Sequence, residues 1–182
     1  GGDIVKTWVK SAATSFAIQS VGGGKSSSKT DGGNGIISNG KGRGEVEGSV
    51  NCETSYGKSS GKIGDFTELE GNNVDEILDR IPDEAVLREL YPVQGGATEG
   101  FEFKWVQNGQ TYRVRVHNVD PSAPVGSNAY NGWVVRVQCG RRYFDPTIND
   151  FREAKYFNPN GPDYDEVIIN DTHIPILDPY QN

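Results

Sequence analysis

Thr111-Tyr112-Arg113-Val114-Arg115-Val116-His117 alternates from one residue to the next between two kinds of side chain. A period of two marks a half-buried strand. Tyr112, Val114 and Val116 then face a core, while Thr111, Arg113, Arg115 and His117 share the other face at a spacing of about 7 Å. Upstream, Phe101, Phe103 and Trp105 alternate with Glu102 and Lys104, and Asn108-Gly109 between the two runs is a hairpin-turn signal. Downstream, past a loop at 118–131, Gly132-Trp133-Val134-Val135-Arg136-Val137-Gln138 and Gly140-Arg141-Arg142-Tyr143-Phe144-Asp145 read as further strands.

Two helices are expected ahead of these strands. Asn73 can cap Val74–Ile81, with acidic residues in the first turn, Arg80 in the last and Pro82 as the stop. A second helix is expected from Asp83 to about Leu90, closing before Pro92. Three or four antiparallel strands after two helices give an α+β domain, a small twisted antiparallel β-sheet packed against N-terminal helices. From Asn158-Pro159-Asn160-Gly161-Pro162 onward the tail reads as loop, with one apolar stretch at Val167-Ile168-Ile169.

Upstream of residue 73 the composition changes. Residues 3–21 carry apolar side chains at 5, 8, 9, 12, 13, 16 and 17, an amphipathic helix that Gly22-Gly23-Gly24 stops and that reads as the end of an upstream region. Residues 22–72 are rich in Gly, Ser, Lys and Asn, the composition of a flexible linker. Gly24-Lys25-Ser26 lacks the glycine and strand that a phosphate-binding loop needs upstream. Cys52 falls in this tract, and two cysteines are too few to imply a disulfide framework. The chain has no methionine, even at position 1, as in an internal or processed piece of a longer protein.

The net charge of -7 over 182 residues argues against a protein that coats nucleic acid nonspecifically. Its distribution is uneven. Residues 104–144 hold six basic groups and one acidic group, and the flanking segments 65–103 and 145–182 are strongly acidic. A basic island of this kind suits a local anion-binding cleft, and equally a solvated strand face.

The chain has two histidines, His117 and His173. Histidine is the side chain whose ordinary pKa lets it take and give a proton near neutrality. Beside His117, Arg113 and Arg115 offer phosphate-binding forks, a combination suited to cleavage of a phosphodiester. Asp163, Asp165 and Asp171 lie near His173 in sequence and could orient it or join it in a divalent-metal site. Tyr143, Tyr156 and Tyr164 could stack on bases or simply pack.

The stretches Ile81-Pro82-Asp83-Glu84-Ala85, Arg113 to His117, Gly126-Ser127-Asn128-Ala129, Arg142-Tyr143-Phe144-Asp145 and Thr172-His173-Ile174-Pro175 together resemble the type 30 domain of bacterial polymorphic toxins, over about residues 73–182. The resemblance implies a ribonuclease domain of α+β fold, by analogy similar to barnase, EndoU, colicin and RelE-type nucleases. Its two characteristic histidines map onto His117 and His173, with Asp163 and Asp165 upstream of the second, and its Arg-x-x-Asp motif onto Arg142, a phosphate-binding arginine expected to be held by Asp145. With Arg115 from the strand face, His117, His173 and Arg142 are the expected catalytic residues, and Arg113 and Arg136 of the basic segment, with Asp145, Ser127 and Thr172, are the expected substrate-binding residues. The family's Arg-x-Gly-Ser/Thr element is incomplete, because Pro124 stands where its arginine is expected. The resemblance also implies RNA as substrate, to which the leading reading adds tRNA as the favoured one, with no cofactor and no bound metal. It implies delivery at the C-terminus of a larger secreted or cell-surface toxin through contact-dependent inhibition, action in the target cell's cytoplasm, and a cognate immunity protein.

Three functions follow as expectations. In the first, one histidine deprotonates a ribose 2′-hydroxyl and the other protonates the leaving 5′-oxygen, giving a 2′,3′-cyclic phosphate; His117, flanked by arginines, is the favoured base, and the sequence leaves the reverse assignment open. The second is a metal-dependent nuclease built on His173 and the nearby aspartates. The third is a non-catalytic binding module of a secreted surface protein.

Overall fold

The structure, a computed structural model, describes Cys52 and residues 63–181. The helix expected at 3–21, the Gly-Lys-Ser at 24–26 and most of the linker lie outside these residues.

The alternating runs form the centre of one antiparallel sheet. Strands β1 (Val86–Glu89), β2 (Gly100–Gln107), β3 (Gln110–His117), β4 (Val134–Cys139), β5 (Arg142–Asp145) and β6 (Asp150–Arg152) lie side by side in chain order. A seventh, β7 (Ile174–Pro175), pairs with β4. Asn108 and Gly109 both have positive φ, the backbone of the tight turn whose twist matches its flanking strands. That turn sets Glu102 opposite Arg115 and Lys104 opposite Arg113. Phe101, Phe103, Trp105, Tyr112, Val114, Val116, Val135 and Val137 are buried together on one face, as the period of two requires.

Residues 63–81 help fill that face. Phe66 and Leu69 are almost fully buried, and Phe66 packs on Trp105. The tract expected to stay flexible to residue 72 therefore joins the core in its last ten residues, because two large apolar side chains there offset the entropy of ordering a polar segment. Cys52 also belongs to the core, through a disulfide to the buried Cys139 of β4. The number of cysteines had suggested no such bond; the pairing depends on a contact across 87 positions.

Helix α1 (Val74–Leu78) is capped by Asn73, whose side chain accepts from the Glu76 amide. It ends short of the expected Ile81, and Arg80 turns inward to donate to the Asp65 and Thr67 carbonyls instead of facing the helix dipole. The helix expected at 83–90 is replaced by a turn and β1. The helical preference of Leu87, Arg88 and Glu89 yields to the pairing of Val86–Glu89 with Phe101–Lys104, which satisfies the exposed edge of β2. The expected three or four strands are seven for the same kind of reason, since β6 and β7 are too short to carry a periodic signal. The loop at 118–131 contains the short helix α2 (Asn128–Asn131). The tail expected to be loop holds a 3₁₀ turn (Ala154–Phe157) and helix α3 (Glu166–Thr172), which packs against β5. Asp165 starts α3 by accepting from the Val167 and Ile168 amides.

The sheet is thus covered on its core face, and α3 covers only part of the other. The site sits where that second cover ends.

Candidate functional site

The non-core face of β3 carries Arg113, Arg115 and His117, and β4 sets Arg136 beside Arg115 and Val134 beside His117. On the free half of the β4 edge, β7 pairs Pro175 with Val134 and Ile174 with Val135. This short pairing brings His173, the residue just before β7, alongside His117. The two rings stand edge to face with centroids 6.2 Å apart.

Each ring is held in the same way. His117 Nδ1 lies 2.7 Å from the Asn118 carbonyl oxygen, and His173 Nδ1 lies 2.8 Å from that of Ile169. A carbonyl can only accept, so Nδ1 carries the proton in both rings and Nε2 is left for chemistry. The Asn128 side chain, bonded to the Asn170 and His173 carbonyls, ties the 118–131 loop to this end of α3. Gly100 lies opposite His117, where a Cβ would come within 2.3 Å of the Val116 carbonyl oxygen, so only glycine lets β2 pass so closely.

Both histidines line a cleft of about 400 Å³ together with Arg88, Arg115, Arg136, Asp120 and Ser122. Arg136 is its deepest cation. Its guanidinium stacks 3.8 Å above the Tyr143 ring and Nη2 donates to the Thr172 hydroxyl at 3.4 Å. Its Nε is buried without a partner, and no carboxylate of the described residues pairs with it. Burial lowers its pKa to about 10, still far above neutrality. Buried charges are ordinarily paired, so a guanidinium left open at a cleft is a ready anion site.

Burial, with Arg136 and His117 adding to it, pushes His173 down to about 3. Burial also lowers His117, but the Asn118 carbonyl and the charge of Asp120 pull the other way. Both rings are therefore neutral at pH 7, His173 the more firmly. The folding consequence has a definite sign. Between pH 6.5 and about 3 the unfolded chain binds a proton at residue 173 that the folded chain excludes. The stability this ring contributes is complete above pH 6.5 and is lost as pH falls through that window, at up to about 1.4 kcal/mol per unit. In His173→Asn, which keeps a donor toward Ile169, urea melts from pH 7 to pH 4 are expected to show a shallower loss than wild type. Parallel pH profiles would remove the effect.

The other expected residues are distributed more widely. Glu102, 2% exposed, gathers three arginines: Arg115 Nη2 donates at 2.6 Å, Arg88 Nε at 3.0 Å, and Arg113 Nε lies 3.8 Å away. Burial alone would raise this carboxyl, but the hydrogen bonds and charges of Arg115 and Arg88 bring it below its usual value. Arg115 thus reaches the cleft braced by Glu102, while Arg113 belongs to the same cluster farther from the histidines. Thr172 is buried, donating to the Ile169 carbonyl and accepting from Arg136. Ser127 caps α2 and does not line the histidine cleft. Arg142 registers with Cys139 on the core side of the sheet, away from the histidines. Its expected pairing with Asp145 is not made, since residues three apart in a strand face opposite ways. Asp145 is fully buried and takes Arg152 Nε at 2.8 Å and the Thr147 hydroxyl at 2.6 Å.

Glu102 and Asp120 are the site residues that sequence reasoning missed. The two-residue Asn108-Gly109 turn carried a signal for Glu102, because its register places position 102 opposite 115. Nothing in the loop around Asp120 pointed to it.

Among the described residues no three His, Cys, Asp or Glu side chains converge to hold a metal ion, and no helix is long and apolar enough to cross a membrane. In comparison with known protein families, the model of a family described as Bacterial toxin 30 matches residues 76–177. No curated protein and no solved structure matches the chain.

Proposed function

The chain belongs to the Bacterial toxin 30 family, and from that premise we propose that its toxic activity is metal-independent cleavage of RNA at the His117–His173 cleft. The observation that carries this reading is the pair of neighbouring rings, each with Nε2 free, lining one cleft with the unpaired Arg136 guanidinium. Two proton carriers and a buried cation are what transesterification of a phosphodiester calls for.

Of the two assignments the sequence leaves open, the one taken here makes His173 the base. His173, held neutral more firmly, is present in its unprotonated form at pH 7. Its Nε2 takes the proton of the ribose 2′-hydroxyl, O2′ attacks phosphorus, and the bond from phosphorus to O5′ breaks. His117, in its imidazolium form, gives its Nε2 proton to the departing O5′ and returns to the neutral ring. Asp120 already favours the His117 imidazolium, and the negative phosphodiester raises both rings further once bound. Arg136 and Arg115 neutralise charge on the phosphorane. The products are a 2′,3′-cyclic phosphate and a 5′-hydroxyl. A metal-dependent route is less well supplied: Asp165 is committed to capping α3 and His173 Nδ1 to the Ile169 carbonyl.

The direct test is incubation with total RNA in excess EDTA, followed by end analysis. Cyclic-phosphate ends are expected; activity that needs an added divalent ion, or phosphomonoester ends formed directly, would select the metal route. Arg136→Gln is expected to lower kcat/KM by roughly 10²–10³-fold. It should also let His173 titrate nearer 6.5 in an NMR titration, since a repelling charge is gone. An unchanged rate together with an unchanged titration would exclude Arg136 from the site.

Membership in a toxin family brings with it an immunity protein, secretion within a larger polypeptide and action inside the target cell as parts of the same proposal. tRNA is the favoured substrate. The open face around Arg88, Arg113 and Arg115 suits a partner presenting acidic groups.

A further inference from the structure

A second cleft, of about 520 Å³, adjoins the first and shares Asp120, Ser122 and His173 with it. Its walls differ in chemistry. Val125, Pro124, Val167 and Ile169 make them largely apolar, and Tyr164 stands among them. Val125 is 85% exposed, Val167 69% and Tyr164 40%, a concentration of water-facing apolar surface beside a reactive ring. Among the described residues Tyr143 packs on Arg136 and Phe157, and Tyr156 lies near Arg152 and Lys155. Tyr164 makes no such ring or cation contact, which leaves its faces open for stacking. Asp120 uses Oδ1 for the Ser122 amide and hydroxyl, so Oδ2 remains to accept from a ligand.

Resting on the ribonuclease reading, we infer that this cleft seats the base of the nucleotide whose 2′-hydroxyl attacks, and that it selects a purine. The placement follows from His173, the proposed base, which belongs to both clefts. The selection follows from shape and polarity. An open aromatic face and apolar walls reward the larger π-surface of a purine. A free carboxylate oxygen needs a donor, which guanine offers at N1 and its 2-amino group and adenine at its 6-amino group. Uracil sets carbonyl oxygens on both sides of its one ring N–H, and these face the carboxylate unfavourably. Cytosine has an amino group but less stacking surface, and falls between.

The test is kcat/KM of the full chain on the dinucleotides GpU, ApU, CpU and UpU, which vary only the base on the attacking side. The purine-first pair is expected to be cleaved roughly 10- to 100-fold faster than UpU, and Tyr164→Ala to shrink that ratio toward one. Equal rates on all four in wild type, or a ratio that survives Tyr164→Ala, would overturn the inference while leaving the ribonuclease reading intact. If no dinucleotide and no RNA is cut, the ribonuclease reading fails and binding decides the base site separately. Guanosine 3′-monophosphate should then bind more tightly than uridine 3′-monophosphate in a manner lost in Tyr164→Ala, and equal binding would overturn it.

Discussion

Alanine in place of His117 or His173 is expected to reduce RNA cleavage by roughly 10²–10⁴-fold each, with the double variant far from multiplicative because the two rings act in one step. The variants separate the roles when the leaving group is changed. On a uridine 3′-phosphate ester of p-nitrophenol, the departing oxygen needs no proton. His117→Ala should recover most of its rate on that substrate, while His173→Ala, lacking the base, should not. Recovery in the opposite variant would restore the assignment read from sequence, and full activity in both on ordinary RNA would end the mechanism. The pH profile adds a sign. His117 must be protonated to act and burial lowers its pKa, so kcat/KM should turn down on the alkaline side below pH 6.5. The acid limb follows His173 and lies near 3. An optimum on the acid side of neutrality is the expected outcome.

The other large effect concerns stability. Cys52 and Cys139 close a loop with a sequence separation of 87, and a crosslink of that span stabilises by about 4–5 kcal/mol through loss of chain entropy in the unfolded state. Small domains commonly hold only about 5–15 kcal/mol in total. Cys52→Ala, or wild type under reductant, is therefore expected to melt on the order of 10 °C lower than the oxidised protein. Cys52 is the better position to change because Cys139 is wholly buried, so serine or alanine there would add a packing defect to the lost crosslink. Equal melting temperatures with and without reductant would show that the bond contributes nothing. Any reducing compartment would weaken the domain by the same amount.

The sheet's centre was legible because alternation and the Asn108-Gly109 turn are local signals. They gave the buried faces of β2 and β3, and the structure keeps them. Elements settled by distant partners were not legible. Val86–Glu89 resembles a helix until β2 offers it an edge, and Ile174–Pro175 carries too few residues to show a period. The site follows the same division. His117 with its arginine neighbours came from the alternation of one strand, whereas the pairing of His173 with it came from a family resemblance. Arg142 and Asp145 do not pair as expected, because proximity in sequence does not survive the alternation of a strand: Asp145 takes Arg152 from the next strand instead. Arg136 looked like any charged strand residue, and only burial without a carboxylate gives it its character.

The two-residue strand β7 has a consequence for timing. Arg88, Arg115, His117 and Arg136 all precede Ile174 and Pro175 in the chain, and of the groups that line the histidine cleft the ring at 173 comes last. Until those two residues settle against Val134 and Val135, the nascent sheet has one ring and an empty half-edge. On the proposed reading, the docking of one two-residue segment is what completes the cleft.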